Sequence, residues 1–300
     1  MRLLVTGANG QVGWELRRSL AAIGDVIALD RKACDLSRPH DLPGIIGEAK
    51  PDIIVNAAAY TAVDKAEDEE QLATLVNGTA VGVLATEARK RGALLIHYST
   101  DYVFDGAKDS PYTEDDPPNP INAYGRSKLA GERAMGQSAG DYLILRTSWV
   151  FAARGRNFLQ TVLRLARERD ELSIVADQIG APTWARHIAD DTALIVQCAS
   201  RERGEARFTS GIFNVTARGA TSWCGFAEAI LDQAMVRQGL LWDRPMVHPI
   251  ASAEYPQPAA RPKNSRLAGE QLRQRFGITL AEWQQGLSLC MQDEALSGVL

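Results

Sequence analysis

Short apolar segments alternate with helical stretches through the first half of the chain. Residues 3–6, 26–29, 52–55, 93–97 and 142–146 are mainly apolar runs that predict strands. Between them, residues 11–22, 41–48, 66–89 and 121–135 predict helices. Apolar strands separated by helices are typical of a parallel sheet that is covered on both faces. The pattern therefore predicts a doubly wound α/β fold of the Rossmann type, with its ligand site beyond the carboxyl ends of the strands.

The alternation loosens after about residue 150. Residues 157–169, 184–198 and 222–238 predict helices, residues 212–215 predict a short strand, and residues 245–262 are expected to form proline-rich turns. We interpret residues 1–150 as the first domain. Residues 151–300 would form mainly a smaller α/β substrate-binding lobe, with parts of residues 184–222 returning to the first domain.

Composition and charge exclude several classes of partner. The 300 residues are 45% hydrophobic and 23% charged, with a formal net charge of −4, so nothing attracts the chain to nucleic acid or an anionic membrane. No apolar run approaches the roughly 18 residues that span a bilayer, and the one at the N-terminus is too short for a signal peptide. The four cysteines are scattered, without the spacing of a metal site. We expect a cytoplasmic protein with reduced thiols.

A glycine-rich turn joins the first predicted strand to the first helix. Gly7 would allow the tight turn, Gly10 the close approach of a diphosphate, and Gly13 the close packing of the helix on the strand. The free N–H groups at the start of the helix favour an anion. This G-x-x-G-x-x-G spacing is a weak signal alone, but at the start of a βαβ unit it predicts dinucleotide binding by residues 1–150. The expected contacts are Gly7, Asn9, Gly10, Gln11, Val12 and Gly13.

The end of the second strand carries charges of both signs. Asp30 stands about 20 residues after the turn, where an acid accepts from the adenosine ribose and favours NAD. Arg31 and Lys32 could instead neutralise a 2′-phosphate. The sequence therefore leaves NADH and NADPH open. The other expected cofactor contacts are Asp35 and Leu36 beside the adenine, and Ala57, Ala58 and Ala59 after the third strand.

Tyr124 and Lys128 lie four residues apart, on one face of a predicted helix. A phenol is a poor proton donor near neutral pH unless its pKa is shifted, and a nearby ammonium lowers that pKa. The pair is common on helix surfaces by chance. Here it follows a glycine-rich turn and a hydroxyl-bearing strand end at Ser99 and Thr100, and that combination favours an acid–base pair.

These motifs together resemble one enzyme family. The three glycines, residues 56–58, Thr100, Tyr124 and Lys128 resemble the extended short-chain dehydrogenase/reductases. Longer segments narrow the resemblance to the dTDP-4-dehydrorhamnose reductases of that family, and they are residues 59–64, 99–106, 119–132, 146–150, 177–183 and 261–265. The resemblance covers nearly the whole chain.

The resemblance implies a reaction and roles for its residues. A hydride would pass from NADPH or NADH to the C4 ketone of dTDP-4-dehydro-6-deoxy-L-mannose, also called dTDP-6-deoxy-L-lyxo-4-hexulose, to give dTDP-L-rhamnose. Tyr124 would protonate the alkoxide, Lys128 would lower the pKa of Tyr124 and hold the nicotinamide ribose, and Thr100 would bond the ketone oxygen. The substrate contacts implied are Thr61, Val63, Thr100, Asp101, Tyr102, Phe104, Trp149 and Arg261.

Some of these residues have a structural explanation as well. Asn77 resembles the helix asparagine that supports a proton-relay water in the family, but a helix kink explains it equally well. Trp149 also fits core packing, and Arg261 a solvated loop. The histidines at 97, 187 and 248 show no ligand spacing, so we expect structural roles for them.

Two other functions share parts of this pattern. A sugar-nucleotide 4,6-dehydratase or 4-epimerase would keep the Tyr–Lys pair, but dehydratases of the family follow the threonine with Asp-Glu, and here Tyr102 follows Asp101. A non-catalytic regulatory subunit would have no need for the acid–base set. The sequence leaves the oligomeric state open, with a homodimer as one option. It also leaves Mg²⁺ open, because nothing identifies ligands for the ion that some relatives bind at a dimer contact.

Overall fold

The computed structural model describes residues 1–238 and 243–296. Its strands, in chain order, are β1 (Arg2–Thr6), β2 (Asp25–Leu29), β3 (Ile53–Asn56), β4 (Leu94–Thr100), β5 (Tyr142–Thr147), β6 (Val150–Phe151), β7 (Glu171–Val175), β8 (Ile179–Gly180), β9 (Thr183–Trp184), β10 (Gly211–Asn214), β11 (Thr221–Ser222) and β12 (Met246–Ile250). Its helices are α1 (Gln11–Ala21), α2 (Leu42–Ala49), α3 (Glu70–Thr74), α4 (Ala80–Lys90), α5 (Ala123–Gln137), α6 (Phe158–Glu168), α7 (Ala185–Gly204), α8 (Trp223–Gln238), α9 (Glu270–Phe276) and α10 (Trp283–Cys290).

The centre of the fold is a six-stranded sheet in the order β10-β5-β4-β3-β1-β2. Every neighbouring pair in it is parallel. Each residue of β3 and β4 is buried, as expected for strands covered by helices on both faces. The predicted doubly wound Rossmann-type fold is therefore confirmed.

Two of the large apolar clusters lie on different parts of the chain, while a third packs α2 and α4 against the sheet. The first contains β1, β3, β4 and β5 together with residues of α7, β10 and the segment 272–280. The second is built from α6, α8, α10 and the short strands at 150–151 and 183–184. The chain returns to the main sheet through α7, which packs along α1, and β10, which pairs with β5. Residues 239–242 and 297–300 of the expected lobe lie outside the described residues.

Two local expectations were wrong. The helix expected over residues 66–89 is divided into α3, a π-helical segment (Leu75–Thr79) and α4. The turns expected over 245–262 include β12, which pairs in parallel with β7. Its Pro249 is tolerated because β12 is an edge strand of a two-stranded sheet. No signal in the sequence was strong enough to predict the strand pairs β6–β9 and β8–β11 or the helices α9 and α10.

No helix in the described part of the chain combines the length and apolarity needed to cross a membrane.

Candidate active site

The glycine-rich turn is held tightly against the end of β3. Gly7 has φ +71°, and a Cβ there would lie 2.6 Å from the Ala58 nitrogen. A Cβ at Gly13 would lie 2.1 Å from the Gly7 carbonyl oxygen. Gly10 is different, because it has an ordinary φ of −74° and its Cβ would approach only the Gly7 oxygen, at 3.2 Å. The turn therefore needs glycine at 7 and 13 for its own packing, whereas the open side of Gly10 is left for a ligand.

The charged residues after β2 support the turn and frame its outer end. Asp30 Oδ2 accepts from Asn9 Nδ2 at 3.1 Å, and Oδ1 accepts from the Lys32 and Ala33 nitrogens. Asp30 does not line the adjoining cavity, whereas Arg31 and Asp35 do. The Arg31 side chain is 81% exposed and its Nε lies 3.6 Å from Asp35 Oδ2. This end of the site thus presents the long, exposed cation of Arg31 as well as the carboxylate of Asp35, and that combination fits either dinucleotide.

One cavity of about 710 Å³ joins the glycine-rich turn to the Tyr124–Lys128 pair. It runs along the carboxyl ends of the parallel strands, where ligands bind in folds of this class. Its walls include the expected cofactor contacts Gly7, Asn9, Gly10, Gln11, Val12, Arg31, Asp35, Leu36, Ala57, Ala58, Ala59, Tyr124 and Lys128. Gly13 and Asp30 do not line the cavity. A continuous apolar and polar trough of this size suits an extended dinucleotide.

The acid–base pair is positioned by the start of α5. Asn122 caps the helix by accepting from the Gly125 nitrogen at 2.7 Å. A Cβ at Gly125 would lie 2.1 Å from the Tyr102 carbonyl oxygen, so the helix packs closely on the loop that follows β4. The Tyr102 and Tyr124 rings meet edge to face, with centroids 5.6 Å apart. The structure therefore brings Tyr124, Lys128 and the end of β4 together.

The pKa of Tyr124 is raised, not lowered. Burial is the main cause and the negative charge of Asp101 adds to it, while the adjacent Thr100 hydroxyl opposes both. The expected lowering by Lys128 is wrong for this structure, because Lys128 Nζ is bonded elsewhere. It donates to the Tyr98 carbonyl oxygen at 2.5 Å and lies 3.2 Å from His97 Nε2. At neutral pH the buried phenol of Tyr124 therefore keeps its proton.

Two further groups at the site have shifted pKa values. Burial lowers the pKa of Lys128 to about 8, against the opposing charge of Glu132. Burial also raises the pKa of Asp101 to about 6, against the opposing hydrogen bonds from Ser265 and Thr100. Buried groups with pKa values moved toward neutrality are common at catalytic sites.

The expected substrate residues divide into two groups. Thr61 lines the cavity, whereas Val63, Thr100, Asp101, Tyr102, Phe104, Trp149 and Arg261 do not. Phe104 is a correction, because it is 1% exposed and stacked on Tyr112 in a separate core cluster. Arg261 is committed to the Asp64 carboxylate, with both nitrogen–oxygen distances at 2.7 Å. That ion pair occupies the guanidinium nitrogens that Arg261 would need to bind a diphosphate.

Trp149 combines strain with aromatic stacking. Its φ of +48° lies in the left-handed region, which a bulky residue rarely adopts outside functional sites. Its ring stacks on Trp223 with centroids 3.6 Å apart. A Cβ at Gly180 would lie 2.5 Å from Cε2 of the indole. Trp223 and Gly180 therefore both confine the indole, which does not line the cavity.

Asn77 lies in the π-helical segment between α3 and α4. Its Oδ1 accepts from the Tyr60 nitrogen at 2.8 Å, and its Nδ2 donates to the Tyr60 carbonyl and to Ser127 Oγ. The structural explanation of Asn77 thus accounts for its contacts: it ties the chain after β3 to α5 where the helix is irregular. Such π-helical turns are frequent at functional sites.

Sequence reasoning missed several residues of the site. His97 contacts Lys128, yet an isolated histidine in an apolar strand gives no sign of that partner. Gly155 and Arg156 line the cavity beside the glycine-rich turn, and they belong to a loop from the second half of the chain. Within residues 1–238 and 243–296, no cluster of three or more His, Cys, Asp or Glu side chains could hold a metal ion.

Comparisons with known proteins all indicate the same family. Residues 1–296 match the family described as RmlD substrate binding domain. The chain is 56% identical to the dTDP-4-dehydrorhamnose reductase of Burkholderia thailandensis, over 98% of this chain and 99% of that relative. It is 44% identical to the enzyme of that name from Salmonella typhimurium, over 96% of each. The crystal structure of dTDP-4-dehydrorhamnose reductase from Bacillus anthracis in complex with NADP superposes with a TM-score of 0.86 at 35% identity, covering 96% of this chain and 98% of that one.

Proposed function

The chain belongs to the RmlD substrate binding domain family, and on that premise we propose that it reduces the C4 ketone of dTDP-4-dehydro-6-deoxy-L-mannose to dTDP-L-rhamnose. NADPH or NADH would be the hydride donor. The observation that carries this proposal is the single cavity that connects a glycine-rich dinucleotide turn to Tyr124 and Lys128. Relatives that match along nearly their whole length bear the name of this reductase.

The residues of the cavity suit a nicotinamide dinucleotide. The N-terminus of α1 has no side-chain cap, and Gly10 leaves it open to the diphosphate. The side chains of Arg31, Asp35 and Leu36 would surround the adenosine end, and Ala57 to Ala59 would let the cofactor pass along β3. A bound reduced nicotinamide would supply the hydride for C4.

Tyr124 would provide the proton. As the hydride adds to C4, the ketone oxygen becomes an alkoxide, which is a far stronger base than a phenolate. The raised pKa keeps Tyr124 protonated in the waiting enzyme, so its Oη–H is available for that oxygen. The Thr100 hydroxyl lies next to the phenol and would orient the same oxygen. The O–H bond of Tyr124 breaks, a new O–H bond forms at O4, and the phenolate recovers a proton from solvent.

Lys128 would bind the ribose next to the nicotinamide and stabilise the transient phenolate. For both roles Nζ must leave the Tyr98 carbonyl that it contacts in this structure. Thr61 is the substrate contact best supported by the cavity. Trp149 and Arg261 would reach the sugar nucleotide only after the Trp223 stack or the Asp64 ion pair opens.

The environment of residue 102 favours reduction over dehydration. Elimination of water across C5 and C6 needs a carboxylate base after Asp101, and this chain has Tyr102. Burial raises the pKa of Tyr102, and the charge of Asp101 adds to that effect. A phenol of this kind is a poor base at neutral pH.

The test is direct turnover. The purified protein is mixed with dTDP-6-deoxy-L-lyxo-4-hexulose and either NADPH or NADH, oxidation of the cofactor is followed by absorbance, and the product is identified by NMR. We expect stoichiometric formation of dTDP-L-rhamnose. Loss of water from dTDP-glucose, or epimerisation of a sugar nucleotide without net cofactor oxidation, would contradict the proposal.

A further inference from the structure

Three neighbouring strands end in a row of bonded polar side chains behind the cavity. Thr6, Asn56 and His97 are register partners on β1, β3 and β4, and all three are fully buried. Thr6 Oγ1 donates to Asn56 Oδ1 at 2.6 Å, and Asn56 Nδ2 lies 2.9 Å from His97 Nδ1. The row ends at His97 Nε2, 3.2 Å from Lys128 Nζ. Central parallel strands are ordinarily apolar, so burying this row of polar side chains lowers the stability of the fold unless each one has a hydrogen-bond partner.

The Ala58 backbone sets the direction of these hydrogen bonds. Its N–H, which can only donate, points at Asn56 Oδ1 at 3.2 Å. Because Oδ1 accepts from both Ala58 and Thr6, the Asn56 amide cannot be turned over, and Nδ2 must donate to His97 Nδ1. Nδ1 is therefore an acceptor. It follows that the neutral imidazole of His97 carries its proton on Nε2, the atom that faces Lys128.

A proton on His97 Nε2 favours the neutral amine form of Lys128 over its ammonium form. An ammonium has three N–H donors and no acceptor, so its N–H groups would face the Nε2–H donor of His97 with no acceptor between them. A neutral amine has a lone pair to accept from Nε2–H, and it can still donate to the Tyr98 carbonyl, 2.5 Å from Nζ. With the amine, every member of the row is satisfied. With the ammonium, one buried contact is repulsive.

We propose that His97 is a positioning residue that holds Lys128 as a neutral amine in alkaline solution until a dinucleotide binds, so that binding at pH 9 draws about one proton from solvent onto Lys128. The inference rests on the proposed function, since it takes the ribose of a bound nicotinamide to be the acceptor that draws Nζ away from His97. Above about pH 8, the lysine would then be mainly charged only when the cofactor that it serves is in place. The hydrogen-bonded row from Thr6 to His97 fixes the proton on Nε2, and so makes protonation of Lys128 follow cofactor binding.

Polar and charged groups from several elements surround the two side chains. Burial lowers the pKa of His97 well below its usual range, the charge that Lys128 carries as an ammonium adds to that effect, and a hydrogen bond with the Asn56 backbone opposes it. Lys128 faces Glu132, one turn further along α5, whose carboxylate is bonded by Arg146 of β5 at 2.7 Å. Tyr124, one turn earlier, is a neutral phenol. From the π-helical segment, the uncharged Asn77 reaches α5 at Ser127.

Proton uptake on binding tests the inference without turnover. NADP⁺ is titrated into the protein, with no sugar present, in buffers of different ionisation enthalpy, and calorimetry gives the number of protons exchanged. With the pKa of Lys128 at about 8 in the free protein, the wild type should take up about 0.9 proton per site at pH 9. The dissociation constant for NADP⁺ should rise about five-fold between pH 8 and pH 9.

The variant His97→Asn separates the two ends of the imidazole. Its Oδ1 can replace Nδ1 as the acceptor for Asn56, but it has no donor at the position of Nε2. Lys128 should then keep only the part of its lowered pKa that burial causes, so uptake at pH 9 should fall measurably below the wild-type value and the affinity should change less between pH 8 and pH 9. The matched control His187→Asn, on α7 and away from the cavity, should behave as the wild type. Lys128→Met should show no uptake.

Wild-type uptake below about 0.2 proton at pH 9 would overturn the inference, whether or not His97→Asn folds. An uptake in folded His97→Asn equal to that of the wild type would overturn it too. Because only NADP⁺ binding is measured, either result is independent of which sugar nucleotide the protein reduces. Failure to bind NADP⁺ at all would instead contradict the proposed function.

Discussion

Asp30 Oδ2 accepts a hydrogen bond from Asn9 Nδ2 at 3.1 Å, which ties the end of β2 to the glycine-rich turn. The carboxylate also bonds two backbone nitrogens of its own loop, so most of its acceptor capacity is already used by the protein. The adjacent Arg31 lines the cavity with its Nε 3.6 Å from Asp35 Oδ2, and its exposed guanidinium can reach a 2′-phosphate as well. We therefore expect both NADH and NADPH to be used, with affinities within about 100-fold, or some 2.7 kcal/mol, of each other.

Arg31→Ala should weaken NADPH binding about ten-fold and leave NADH binding nearly unchanged, because the guanidinium serves the phosphate that NADH lacks. Asp30→Ala should shift the preference toward NADPH, since it removes a negative charge from that end of the site. Dissociation constants measured by quenching of protein fluorescence check both. Equal losses for the two cofactors in Arg31→Ala would remove Arg31 from the phosphate site.

Two glycines of the turn should respond differently to substitution. Gly10→Val should abolish dinucleotide binding while the melting temperature stays near that of the wild type, because its side chain would enter the cavity and touch the protein only at the Gly7 oxygen. Gly7→Ala should destabilise the protein itself, by about 1–3 kcal/mol or more, because φ is +71° and the Cβ would meet Ala58. Thermal unfolding and calorimetric titration with NADP⁺ distinguish the two. Unchanged affinity in Gly10→Val would show that the diphosphate lies elsewhere.

The sequence predicted the part of the fold that local patterns encode. The strands of the main sheet follow from apolar runs, and the glycine-rich turn and the Tyr124–Lys128 helix follow from spacing that the backbone obeys directly. The family resemblance was confirmed by relatives that match over nearly the whole chain.

The remainder depends on contacts between distant segments, which leave no local pattern. At the irregular turn, the Asn77 side chain bonds Tyr60 and Ser127, which are 17 and 50 residues away. The partner of Arg261 is Asp64, 197 residues earlier. For the same reason, burial of Tyr124 beside Asp101 reverses the direction of pKa shift that helix spacing alone suggested.

The buried ion pair between Arg146 and Glu132 should be important for the position of α5. Arg146 Nε and Nη2 bond the two carboxylate oxygens at 2.9 and 2.7 Å, with both side chains at most 4% exposed. Arg146→Met leaves Glu132 buried without its partner, which should cost about 3–5 kcal/mol of unfolding free energy. The double variant with Glu132→Leu should recover much of the loss. Urea denaturation measures both, and a single variant as stable as the wild type would contradict this role.

Asp101 should make stability depend on pH in a defined direction. Its pKa is raised to about 6 in the folded protein, above the unfolded value near 3.9. The folded state therefore holds this proton more tightly, so the stabilisation is complete below pH 4 and is lost as the pH rises through 6. Asp101→Asn should thus gain stability relative to the wild type between pH 4.5 and pH 7.5, by up to about 3 kcal/mol. A difference that is independent of pH in urea denaturation would mean that Asp101 is not protonated in the folded protein at low pH.

The most direct test of the central claim is the turnover of Tyr124→Phe with NADPH and dTDP-6-deoxy-L-lyxo-4-hexulose. The variant keeps the ring and its packing but removes the proton that we assign to the C4 alkoxide. The rate constant for reduction should fall by about 10²–10⁴-fold, with NADPH affinity nearly unchanged. The control Tyr142→Phe, which removes a hydroxyl at the opposite end of β5, should retain wild-type turnover. A Tyr124→Phe enzyme that retains more than about a tenth of wild-type turnover would show that the proton comes from another group.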